Sequence, residues 1–387
     1  MSDVETELDV AQPARPHQSA AGAPARAVSR WLWLLWFCVW AMVVVGGLTR
    51  LTGSGLSMVE WHPLMGALPP ITDQDWQDVF ARYQQSPQYQ LVNHWMSVED
   101  FKRIFLWEYG HRLLGRLLGA VFAVPFLYFV VRGYLRGVEL LRVGVAFVLG
   151  GAQGLLGWYM VKSGLIDRPE VSHLRLAAHL SLAFTVGMYL LWQALGFGDR
   201  ASDLSAGLRQ NTVVMRPIAP LWAVGMLISL LSLQIVYGAF MAGTHAGLLF
   251  ATFPDMNGSW LPGAFFKFPT LAGDLLRNPM AIHWIHRMLG WLVAVLVVVV
   301  VFLVFRRCSA REVRVPGIAL ILVTALQIGL GAWTVLAAVP VAVATAHQAC
   351  AYALLSCAFW LAYRLGHVAG AMGELRALMG RPVMMQV

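Results

Sequence analysis

Eight runs of predominantly apolar residues, near 31–49, 111–131, 143–161, 176–195, 218–241, 284–305, 316–338 and 341–363, dominate this 387-residue chain. Inside hydrocarbon every backbone N–H and C=O must find its partner within its own segment, and a helix needs about 20 apolar residues to cross. The fold class this implies is an all-α integral membrane protein of eight transmembrane helices. Composition agrees, because 58% of the residues are hydrophobic and only 12% charged, half the charged share of a typical soluble domain at about 25%.

The formal net charge of +8 is a topology signal and implies no nucleic-acid partner. Sixteen of the 28 Lys and Arg fall in segments on the N-terminal side of the spans, among them Arg30, Arg132, Arg142, Arg306 and Arg311. The positive-inside rule then puts both termini in the cytoplasm. Residues 1–30 are rich in Ala and Pro and carry Asp3, Glu5, Glu7 and Asp9, which is wrong for a secretory signal or a mitochondrial presequence; they read as a disordered tail. The expected home is a bacterial plasma membrane. Cys38, Cys350 and Cys357 lie within spans and Cys308 in an inner loop, so no outer disulfide and no Cys/His metal box is expected.

Comparing the chain with itself reveals a duplication. "HRLLGRLLGAVF" from His111 resembles "HRMLGWLVAVLV" from His286, "AQGLLGWYMV" from Ala152 resembles "LQIGLGAWTV" from Leu326, and "AAHLSLAF" from Ala177 resembles "TAHQACAY" from Thr345. The offsets, 175, 174 and 168 residues, are nearly constant across three consecutive spans; "GGLTRLTGSGL" from Gly46 and "GAFMAGTHAGL" from Gly238 match more weakly. Four spans per unit is an even number, so the repeats are parallel and equivalent residues share one face and depth. Two pseudo-symmetric four-helix bundles are expected, at 31–200 and 210–365, with a C-terminal tail at 366–387. The long outer loop from about 50 to 110 reads as short interfacial helices capping the first bundle.

His111, His179, His286 and His347 lie at the outer mouths of the even-numbered spans. A lone histidine there is most often a hydrogen-bonded interfacial residue, but ionisable groups in spans mark function, and these four recur in register. Each bundle offers two imidazoles at similar depth and almost no other ligand, which suits six-coordinate haem iron better than zinc or copper. Arg112 and Arg287, each next to a histidine, are candidate counter-ions for haem propionates near the outer face; Arg50 and Arg116 are further candidates. The bundles differ at Glu108, three residues before His111, because the matching position is His283. A carboxylate beside one haem only suggests that one haem is acted upon while the other carries electrons. A helix-dipole role for Glu108 is the plainer alternative.

"GGLTRLTGSGLSMVEWHPLMGALPP", "EYGHRLLGR", "FATFPDMNGSWLPG" and "HWIHRMLGW" together resemble the haem A synthase family, from about residue 31 to 365. The resemblance implies an oxidoreductase that converts haem O to haem A, by oxidising a porphyrin methyl to a formyl group through hydroxylated intermediates, during cytochrome oxidase maturation. It carries a haem b cofactor onto His286 and His347, the substrate haem onto His111 and His179, and the functional glutamate of a Glu-x-x-His motif onto Glu108. Implied partners are the haem O substrate, a haem O synthase that supplies it and an electron acceptor of unknown identity; homo-oligomerisation stays open. The outer cysteine pairs of some relatives have no counterpart, and Gly53 stands where many relatives have an acid. The ligands alone would also permit a quinone-linked dihaem electron carrier; a transporter would want polar groups at the bilayer midplane.

Overall fold

The computed structural model describes residues 22–60, 68–164, 169–202 and 221–379. In chain order the helices are α1 (Gly22–Leu51), α2 (Asp73–Gln84), α3 (Val98–Val131), α4 (Gly137–Gly164), α5 (His173–Ser202), α6 (Leu221–Gly243), α7 (Leu271–Arg277), α8 (Pro279–Arg307), α9 (Arg311–Leu336) and α10 (Val341–Met379). All but the short α2 and α7 are long and apolar enough to span a bilayer, so this is a multi-pass helical membrane protein with the eight expected spans.

The helices overrun the apolar windows where nothing in the sequence stops them. α3 starts at Val98, capped by Ser97, whose hydroxyl accepts from the Asp100 N–H while Asp100 bonds back to the Ser97 backbone; such a box satisfies donors that a helix start leaves open. Glu108 and His111 therefore sit on continuous helix. α8 starts with Asn278 as cap and Pro279 in the first turn, where a missing N–H costs nothing. The expected disordered N-terminal tail needs correction: residues 22–30 are helical, because Ala and Arg favour helix and Pro24 falls in the first turn of α1; at the other end helix continues through residues 366–379 of the C-terminal tail. Residues 1–21 and 380–387 of those tails, and His62, lie outside the described residues.

α1, α3, α4 and α5 contact one another in a closed ring, and α6, α8, α9 and α10 form a second. The rings meet through α1 and α5 of the first and α6 and α10 of the second. Without a hydrophobic driving force between helices in lipid, close approach and hydrogen bonding carry this seam. Gly187 leaves the space that the fully buried Tyr352 ring occupies, since a Cβ there would collide with its hydroxyl. That hydroxyl donates to the Trp36 carbonyl at 3.2 Å, and Gln348 Nε2 donates to the Val43 carbonyl at 2.8 Å. At one end of the seam Arg364 Nη1 donates to both Asp199 oxygens, at 2.8 and 3.0 Å. At the other, Arg50 leaves its own ring and donates to the Ala242 carbonyl of α6 at 3.0 Å.

The first outer loop packs down as expected of a cap. Phe80 and Tyr83 of α2 bury against Phe101, Ile104 and Phe105 of α3, with Tyr83 stacked on Phe101 at 4.9 Å. This fixes the loop directly above Glu108.

Candidate functional site

Each of the four predicted histidines rests on a glycine of a neighbouring helix. A Cβ on Gly46 of α1 would lie 3.3 Å from His111 of α3, and one on Gly157 of α4 would lie 2.9 Å from His179 of α5. In the second ring the same arrangement recurs: Gly238 of α6 under His286 of α8 at 3.3 Å, and Gly331 of α9 under His347 of α10 at 2.9 Å. The distances repeat along with the contacts.

The His286 and His347 ring centroids are 6.4 Å apart, with planes at 75°. A metal–imidazole bond is about 2 Å long, so two imidazoles on opposite sides of one ion place their centroids roughly 6–6.5 Å apart. His111 and His179 stand within electrostatic reach of each other.

Side-chain amides face the ring nitrogens. Gln153 Nε2 is 3.3 Å from His179 Nε2, Gln327 Nε2 is 3.3 Å from His347 Nε2, and Gln234 Nε2 is 3.5 Å from His286 Nε2. The Nδ1 atoms of His179, His286 and His347 and the Oε1 atoms of all three glutamines are buried without a well-formed hydrogen bond. Unmet buried polar atoms are costly, and here they cluster on imidazoles at helix-to-helix spacing. No group of three or more His, Cys, Asp and Glu that could hold a metal occurs among the described residues. Paired nitrogens with nothing further fit the two axial positions of a haem and do not fit a tetrahedral ion.

Glu108 is almost completely buried, at 2% exposure. Its Oε2 accepts from the Ser57 hydroxyl at 2.8 Å and the Met58 N–H at 2.7 Å, and its Oε1 pairs with Arg112. Arg112 also donates to the Met58 carbonyl at 2.9 Å and the Glu60 carbonyl at 3.0 Å. The ion pair lies within α3, and the hydrogen bonds that its two members make to Ser57, Met58 and Glu60 lock the first outer loop to that helix. The loop reaches Glu108 by a tight turn at Gly53, whose φ of +68° lies in the left-handed region that glycine adopts without strain; Gln88 Nε2 closes that turn by donating to the Gly53 carbonyl at 2.9 Å.

In the second ring His283 takes the place of Glu108, with the same outcome. Arg287 Nε donates to His283 Nε2 at 3.0 Å, and the guanidinium also donates to the carbonyls of Phe250, at 3.1 Å, and Asp255. His283 is fully buried. Both arginines therefore staple an outer loop to the helix that carries a candidate ligand. The second loop is braced by Asp274, which accepts from the Lys267 and Phe268 N–H groups at 2.8 and 3.0 Å. These backbone donors, the Lys267 N–H first, hold its carboxyl below the usual carboxylate range.

The glycine seats at Gly46 and Gly238 and the amide of Gln234 escaped the sequence reading. A signal existed for the glycines, which align in the weak first-span match. None existed for Gln234, because the same register puts Met42 in the first half.

Two rings of membrane helices, each presenting a pair of glycine-backed imidazoles and a loop-stapling arginine, define a helical membrane protein built around paired histidine clamps. Residues 29–359 match the family described as "Cytochrome oxidase assembly protein" (COX15-CtaA), and the chain belongs to that family. It is 41% identical over 351 residues to the "Heme A synthase" of Nitrosospira multiformis, covering 89% of this chain and 94% of that one. It is 42% identical over 341 residues to that of Parvibaculum lavamentivorans, covering 88% and 94%. The protein of the same name from Cereibacter sphaeroides is 44% identical over 341 residues, covering 84% and 85%.

Proposed function

We propose that this protein is a haem A synthase of a bacterial plasma membrane, an oxidoreductase that turns a methyl group of haem O into the formyl group of haem A. Full-length similarity to relatives of that name supports the activity, and the 6.4 Å separation of His286 and His347 carries the assignment of a bis-histidine site. The two rings act as separate units, 31–200 for the substrate haem, held by His111 and His179, and 210–365 for a resident haem b, held by His286 and His347. Both termini lie in the cytoplasm and both sites near the periplasmic face, following the charge bias.

Haem b, when bound, supplies one-electron redox chemistry to the second ring. The chain's own residues do the rest. The histidine pair of the first ring fixes the porphyrin, so that the reacting methyl meets one side of the site only. Glu108, held as an acceptor by Ser57, Met58 and Arg112, takes up protons in two successive two-electron oxidations: in each the carbon loses two electrons and two protons and gains one water, giving first a hydroxymethyl group and then a hydrated aldehyde, which loses water to leave the formyl group. The four electrons released leave one at a time towards the second ring, where His286 and His347 hold haem b, and pass on to an external acceptor. Arg112 and Arg287 hold the outer loops over the two sites and place positive charge near the propionates. A haem O synthase is the supplier.

The test is haem extraction from cells that also make haem O. Formyl-bearing haem appears when this chain is expressed and disappears for Glu108→Ala, while that variant keeps its bound haem. Bound haem with no formyl product from the unaltered chain would leave only an electron carrier.

A further inference from the structure

We propose that Lys162 and Arg175 form a carboxylate-binding site at the outer mouth of the first ring, which recognises the propionate groups of the substrate porphyrin and tells the substrate half from the cofactor half. This rests on the reading of the first ring as the substrate half. Arg175 lies one turn outward of His179 on α5, at the i, i+4 spacing that places two side chains on one face of a helix. Lys162 lies at the outer end of α4, the helix whose Gly157 seats His179.

Aromatic rings hold both cations in place. The Arg175 guanidinium stacks over Tyr159 at 4.7 Å and its Nη2 reaches the tyrosine hydroxyl at 3.4 Å; Lys162 Nζ lies over the Trp158 ring at 4.9 Å. Stacking of this kind orients a cation and leaves its N–H donors free for an anion. Among the described residues neither has a carboxylate partner, and Glu170, the acid between them in the chain that is among the described residues, faces His245 at 3.2 Å. By contrast, the donors of Arg112 and Arg287 already serve Glu108, His283 and loop carbonyls.

At the matching positions the second ring carries no cation. In the registers that align Gln153 with Gln327 and His179 with His347, Trp158, Tyr159, Lys162 and Arg175 correspond to Ala332, Trp333, Leu336 and Val343. At these matched positions one ring carries two cations and the other only apolar residues, on an outer face where the charge bias disfavours Lys and Arg. A site that must capture a dianionic porphyrin at each turnover needs such recognition more than one that holds its porphyrin permanently.

The experiment titrates the purified protein, its second ring already loaded, with iron protoporphyrin and with the propionate dimethyl ester of the same porphyrin, followed by absorption. The unaltered chain should prefer the free acid by tenfold or more, about what one charge-assisted hydrogen bond is worth. Lys162→Gln with Arg175→Gln should weaken free-acid binding about tenfold, leave ester binding and resident haem unchanged, and lose the preference. The charge-conserving Lys162→Arg with Arg175→Lys should restore it. A preference that survives the glutamine pair, or an equal loss for acid and ester, overturns the proposal alone. An unaltered chain that takes up no further porphyrin overturns the reading of the first ring as a substrate site.

Discussion

Gly331→Ala tests the histidine clamp without touching a ligand. An added Cβ would stand 2.9 Å from His347 Cε1, whereas ordinary contact begins at 3.4 Å, so the ring must retreat by the difference of 0.5 Å. Metal sites tolerate about 0.2 Å in their bond lengths. The fold should survive, because overpacking costs about 1–3 kcal/mol while alanine is better than glycine in a helix by about 1 kcal/mol. Ligation should not: a tenfold or greater drop in haem retention corresponds to only about 1.4 kcal/mol. The assay is the haem content and low-spin absorption spectrum of purified protein. Gly329→Ala, two residues away on the same helix with nothing within 4 Å of its Cβ, is the control and should bind haem normally. A full low-spin spectrum from Gly331→Ala, or an equal loss from Gly329→Ala, would refute the clamp.

Arg364→Ala removes two hydrogen bonds to Asp199 and leaves a largely buried carboxylate that faces, among the described residues, Tyr363 and His367; the loss should be about 1–3 kcal/mol after allowing for partial exposure, read as a lower thermal midpoint in detergent with both haems retained until unfolding. The Asp274 carboxyl, held below its usual range, contributes stability that is present above its unfolded value, near 3.9, and is lost as pH falls through the folded value. The second outer loop should therefore resist protease at neutral pH and open in strong acid, and Asp274→Asn should open it at neutral pH too; indifference of the loop to both changes would show that Asp274 does not brace it.

Period and position carried most of this architecture. Eight spans follow from apolar run length, since a bilayer admits no other way to satisfy that much backbone, and the histidines stand out because imidazole in such a run has few other uses. Loop geometry was invisible. Nothing in "GSGLSMVE" announces that Ser57 and the Met58 N–H will converge on Glu108 from 50 residues away, because that contact depends on how α2 packs over α3. His283 likewise made no sense in sequence and becomes plain as the acceptor that Arg287 needs. The helical extensions at both ends were missed because hydropathy reports where lipid lies and helix propensity does not stop at its surface.

The comparison between Glu108 and His283 separates two roles that a single alanine would confuse. Holding an outer loop needs an acceptor for the arginine one turn on, and His283 shows that an imidazole suffices for that. Glu108 also accepts from the Ser57 hydroxyl and the Met58 N–H, and beyond these contacts it brings a full negative charge able to accept a proton, a capacity that holding the arginine does not require and that points at chemistry. Glu108→His should keep Arg112 engaged, as His283 keeps Arg287, so the first loop should stay protease-resistant and porphyrin should still bind. Oxidation of the methyl should nonetheless collapse. The reciprocal His283→Glu should keep the resident haem and create no second site of oxidation. If Glu108→His instead retains substantial formyl-haem formation, the carboxylate is only a clasp, and the proton acceptor must be sought elsewhere in the first ring.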